Sequence, residues 1–130
     1  AVMAVLTLVR MTVLADAVIY RQNALMNANL FFLGCVLLIF GLFNAIFLGG
    51  FLKTAYKLGK YFVIFIAVCF VVIFLAEAAH HVPGLGALNA FGFDHIGLQL
   101  LTLLAGAAAF VALTFLSYNK ACKDFERIDL

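Results

Sequence analysis

Charged side chains are scarce in this sequence, and their scarcity excludes a surface built for water. Aspartate, glutamate, lysine and arginine make up 11% of the 130 residues, 68% are hydrophobic, and mean hydropathy is +1.22. A soluble domain carries about 25% charged and roughly 45–50% apolar residues. Net charge is only +2, with no basic patch threaded by stacking aromatics, which excludes a nucleic-acid partner. Cysteine is sparse: Cys35, Cys69 and Cys122 show no metal-ligand spacing and read as small hydrophobes with one loop thiol. A phosphate-cradling glycine loop, G-x-S-x-G and H-E-x-x-H are all missing. The chain reads as a non-enzyme with no cofactor.

What the sequence does have is long greasy runs. Leu30–Leu52, Tyr61–Ala79 and Ile96–Tyr118 are almost unbroken by polar residues. As helices rising 1.5 Å per residue, each can cross a hydrocarbon core of ~30 Å. The stretch Ala1–Tyr20 is also helix-friendly, but Arg10 and Asp16 interrupt it. An arginine at mid-span costs about 2.5–3.5 kcal/mol on insertion scales. This segment is therefore either a membrane helix facing protein or an interfacial helix, and the chain is expected to begin inside a helix. The expected fold is all-α and integral to a membrane. It forms one domain, a bundle of three full transmembrane helices plus an N-terminal partial or interfacial helix. The helices fall near residues 1–20, 30–52, 61–79 and 96–125.

The connections orient the bundle. Residues 53–60 (KTAYKLGK) and the tail, with Lys120, Lys123 and Arg127, share one side because two spans separate them. The opposite side, residues 20–29 and 80–95, contributes only Arg21. Lysine and arginine favour the cytoplasmic face, which places the Lys53–Lys60 loop and the C-terminus inside the cell. Tyr56, Tyr61 and Tyr118 then form an aromatic belt at that interface. In the 80–95 connection Pro83 and its glycines break the helix, and Asp94 is positioned to N-cap the last span. The tail extends that span into water.

Packing follows from size. Gly97, Ala105, Gly106, Ala109 and Ala112 give the last span a stripe that lets backbones approach. Gly34 and Gly41 share a face of the Leu30 span and are the expected receivers of that stripe. Asn44, inside the same span, reads as interhelical hydrogen-bond glue. The Tyr61 span is bulky all round and reads as a wall facing lipid. Arg10 and Asp16 are too far apart to share an i, i+4 face, so each seeks another helix or a headgroup.

Chemistry concentrates in Glu77, His80, His81, Asp94 and His95, near one membrane face. Glu77 and His80 stand i, i+3, the spacing of carboxylate–histidine metal sites in helical bundles; His80, His81 and His95 are also possible haem or metal ligands. A di-iron site needs a second such pair and more carboxylates than the six acidic residues present can supply. The simpler reading is a hydrated polar rim, with Glu77 anchored at the border.

YRQNALMNANLFFLG, FGLFNAIF, KTAYKLGKYF and the tail SYNKACKDFERIDL together resemble the membrane subunits of bacterial ABC-type exporters of the second type. The matching positions are Tyr56, Lys57, Gly59 and Lys60, then Lys123, Phe125, Glu126, Asp129 and Leu130. The resemblance implies a permease subunit in a bacterial inner membrane, dimeric or part of a larger permease, energised by a separate cytoplasmic ATPase that Lys53, Lys57 and Lys60 would face. It also implies a partial chain, because such subunits have more spans than these. A small protein acting by helix assembly through the alanine-rich face, or a haem- or metal-binding module, remain alternatives.

Overall fold

The computed structural model describes residues 1–17, 25–50 and 58–126, and every regular element among them is a helix. Helix α1 is Val2–Thr12, α2 Leu30–Phe43, α3 Leu58–Ala79 and α4 Ile96–Phe125. A π-helical stretch, Asn44–Leu48, continues α2, and a 3-10 turn, Gly86–Asn89, lies between α3 and α4. Leu30–Leu48, Leu58–Ala79 and Ile96–Phe125 are long and apolar enough to cross a membrane, at 19, 22 and 30 residues. Hydrocarbon offers no partner to a backbone N–H or C=O, so a helix, which satisfies both internally, is enforced there. That constraint overrides the mild strand preference of the valines, isoleucines and phenylalanines that fill α3.

The expected class is the observed one, with shifted ends. Helix α3 starts before Tyr61, so Lys60 stands in a first helical turn and not in a loop. With 30 residues, α4 is about 45 Å long and outruns a ~30 Å core, so its end can carry Lys120 and Lys123 into water. Helix α1 is shorter than expected: it ends at Thr12, and the chain turns through residues 13–16. Its 11 residues reach only about 16 Å, too little to span alone. Residues 18–20 and 51–52 of the expected helices lie outside the described residues.

The main packing is α2 against α4. A methyl group added to Gly34 would come within 2.7 Å of the Thr102 carbonyl oxygen, and one at Gly41 within 3.0 Å of the Phe110 Cα. At Gly106 it would overlap the Gly34 backbone. Glycine is what allows this approach, as the small-residue stripe implied. The alanines behave differently from that expectation. Ala105 and Ala109 line a shallow apolar notch of about 270 Å3 with Gly34 and Gly106, while Ala112 is exposed. The glycines carry the contact because they lie on the line of closest approach.

Helix α3 leans on this pair and turns its bulk outward. Phe43 meets Phe65 edge-on at 5.1 Å between ring centroids, and Tyr61 lies against Gly50. Phe70 and Phe74 are 70% and 71% exposed, as a wall facing lipid requires. At the lysine-bearing end the π-helical stretch is tied across to α4. The Asn44 carbonyl accepts from the Gly49 N–H and, at 2.6 Å, from the Ser117 hydroxyl; Asn44 Nδ2 donates to Thr114 Oγ1 at 2.9 Å. The expected role of Asn44 as glue between helices is the observed one.

Candidate functional site

The four most completely buried large side chains are Met11, Gln99, Asn29 and Thr7, and three of them are polar. A water-soluble core would bury its leucines first; here lipid accepts the leucines, and the protein interior is left to polar groups. Most of these groups gather at the end opposite Lys60, where residues 25–30 are gripped from three sides.

Asn29 is the N-cap of α2. Its Oδ1 accepts from the Phe32 N–H at 3.0 Å, and its Nδ2 donates to the carbonyls of Leu88 and Ala90 at 2.8 and 3.2 Å. Asparagine suits this place because one amide supplies both an acceptor for the helix start and donors for the 3-10 turn. Asn27 pairs with Asn89: its N–H donates to Asn89 Oδ1 at 2.6 Å, and its Nδ2 to the same oxygen and to the Asn89 carbonyl. Arg10 completes this cluster. Its guanidinium donates to Asn27 Oδ1 at 2.9 Å and to the Leu14 carbonyl at 2.7 Å, and it lies 5.8 Å from the centre of the Phe91 ring. The arginine that made the first segment doubtful is therefore held by protein, as a buried charge must be.

The start of α4 corrects an expectation. Asp94 is not its N-cap; His95 is, in the left-handed conformation at φ 52, with no side-chain cap bond. Gln99, from inside the helix, ties down the backbone that precedes it. Its Nε2 donates to the carbonyls of Gly92 and Asp94, and its Oε1 accepts from the Leu30 N–H at 3.2 Å. One side chain so fastens the entry of α4 to the entry of α2. Sequence patterning favours aspartate before a helix, and it does not register a glutamine that reaches backwards.

Glu77, His80 and His81 come together at the end of α3. They stand i, i+3 and i+4, and the helix tightens there, with His81 N–H bonded to the Ala78 carbonyl and Val82 N–H to that of Ala79. One ligand-type atom from each lies within 4.8 Å of the others. Both Glu77 oxygens accept from the Met26 N–H, at 3.1 and 3.2 Å, so Glu77 anchors residues 25–30 to α3. His95 is not in this trio; it and Asp94 border a polar notch of about 390 Å3 that His80 also lines. At the other end Lys60 is exposed on the first turn of α3, while Lys53 and Lys57 lie outside the described residues.

Sequence reasoning missed the asparagine clasp. The signal was the N-x-N of Asn27 and Asn29 just before a span, paired with Asn89 in a loop between spans. The arrangement can hold helix ends in register; among the described residues it places no nucleophile beside a base. No protein-family model, curated protein or solved structure matches this chain.

Proposed function

We propose that the chain is a membrane-spanning permease subunit of an ATP-driven transporter in a bacterial inner membrane, energised by a separate cytoplasmic ATPase. The observation that carries the reading is the division of labour between the two ends of the spans. One end bears Lys60 at the start of α3 and Lys120 and Lys123 at the close of α4. The other is tied shut by uncharged asparagines and glutamine, with Arg10 folded into the protein. Counting Arg10 on the clasp side gives it two basic residues with Arg21, against six at the lysine end. The balance still favours a cytoplasmic lysine end, which supports the reading.

The resemblance to exporters of the second type supplies the partner that such a face would meet. Lys60, with Lys53 and Lys57 beside it in sequence, offers the charge for an ATPase surface. Broad apolar exposure on α3 and α4 suits a subunit that packs against further helices or a second copy as well as lipid. Self-assembly through the alanine-rich stripe is the weaker reading, because the closest part of that stripe, at Gly106, is already engaged with Gly34 of the same chain.

The test is affinity purification of the tagged chain from its native membranes in mild detergent. An ATPase with a phosphate-binding glycine loop should co-purify and be lost on charge reversal of Lys53, Lys57 and Lys60 to glutamate. Recovery of the chain with no ATPase would count decisively against the reading.

A further inference from the structure

We infer that Glu77, His80 and His81 form a binding site for a divalent first-row transition-metal ion, Zn2+ foremost. The helix supplies the geometry. Residues at i, i+3 and i+4 share a face, and the tightened last turn of α3 draws the two imidazoles to 4.0 Å between ring centroids. Two nitrogens and one carboxylate oxygen are the donor set that zinc and its neighbours accept, with a fourth position left to water.

A second observation points the same way. The His80 side chain is only 6% exposed, and its Nδ1 is buried without a hydrogen-bond partner. The other ring nitrogen, Nε2, is 3.8 Å from Glu77 Oε1, beyond hydrogen-bond length. A buried imidazole nitrogen left unpaired costs free energy that a purely structural role does not recover. A metal ion recovers it. The polar notch beside His80 leaves room for the water that would complete the coordination shell.

The electrostatics agree. The trio sits at the C-terminal end of α3, where the helix dipole presents partial negative charge and favours a cation, and Glu77 adds a carboxylate. Tetrahedral bonds of roughly 2.0–2.1 Å put ligand atoms about 3.4 Å apart, so the observed spread within 4.8 Å must contract. His81 is exposed and can turn inward without disturbing the fold. Because Glu77 also holds the Met26 N–H, an ion here would fasten α3 to the clasp that α2 and α4 already share.

The experiment titrates Co2+ into the full chain, purified in detergent and stripped with a chelator. The expected result is one ion per chain, visible ligand-field absorption of a low-coordinate site, displacement by Zn2+ and a higher unfolding temperature in the loaded protein. His81→Gln, on an exposed side chain that folding does not need, should weaken binding by about 100-fold or more, as should Glu77→Gln. His95→Gln should leave affinity unchanged. Wild-type affinity in His81→Gln, loss of binding in His95→Gln, or no saturable Co2+ binding would each overturn the assignment. The outcome is independent of the transporter reading, which concerns the opposite end of the spans.

Discussion

Gly106 of α4 lies so close to Gly34 of α2 that a methyl group on Gly106 would overlap the Gly34 carbonyl. Backbone meets backbone there, so neither side can yield by turning a side chain. Alanine normally improves a helix by about 1 kcal/mol over glycine. At Gly106 the forced separation of α2 and α4 should outweigh this, with net destabilisation of about 1–3 kcal/mol. Gly97→Ala is the matched control, since nothing lies within 4 Å of a methyl group there. Unfolding of both variants by SDS titration in mixed micelles should separate them; equal stability would mean that the close approach is not sustained in the membrane.

Asn29 is expected to be the costliest single clasp residue to lose. Asn29→Ala removes the α2 cap and leaves the Leu88 and Ala90 carbonyls without their amide donor, a loss of about 2–4 kcal/mol from a cap and a buried polar pair. Asn29→Ser retains a capping oxygen but cannot reach both carbonyls, so it should fall between alanine and wild type. Thermal unfolding followed by circular dichroism checks the order. A serine variant as unstable as alanine would show that the cap contributes nothing.

The spans were legible because their chemistry is redundant: any few residues of Leu30–Leu48 carry the same message as the rest. The clasp was not, because the bonds that close it depend on an asparagine or glutamine meeting a residue about 60 positions away. Composition marks residues 20–29 and 80–95 as polar but cannot pair Asn27 with Asn89. The Glu77–His80–His81 cluster was half legible. Helical spacing brings the three together, whereas the burial of His80 follows from how the 80–95 connection folds back. The π-helical turn at Asn44 left no periodicity to read, since a single inserted residue changes the hydrophobic pattern of an all-apolar run very little.

Asn44 and Thr114 should show measurable coupling in a double-mutant cycle. Their side chains bond at 2.9 Å between α2 and α4, and Ser117 bonds the Asn44 carbonyl beside them. Interhelical polar pairs in membranes contribute about 0.6 kcal/mol on average and about 1.7 at most. Thr114→Val and Asn44→Leu, alone and together, should yield a coupling within that range. A value indistinguishable from zero would assign Asn44 to its backbone bonds alone.

The lysine end of the spans is expected to face the cytoplasm. In a background with Cys35, Cys69 and Cys122 replaced, single cysteines at Lys57 and at His81 report on opposite ends of α3. His81 is exposed at the clasp end and should react with a membrane-impermeant maleimide on intact cells, whereas Lys57→Cys should react only after the membrane is opened. The physical reason is the placement of fixed charge: Lys53 and Lys57 precede α3, Lys60 stands in its first turn, and Lys120, Lys123 and Arg127 end or follow α4, so one inversion would have to carry six cations outward. The clasp adds no comparable weight, because Arg10 is already committed to Asn27 and Leu14. Labelling of Lys57→Cys on intact cells would place the lysines outside, and the ATPase-facing role proposed for them would go with it.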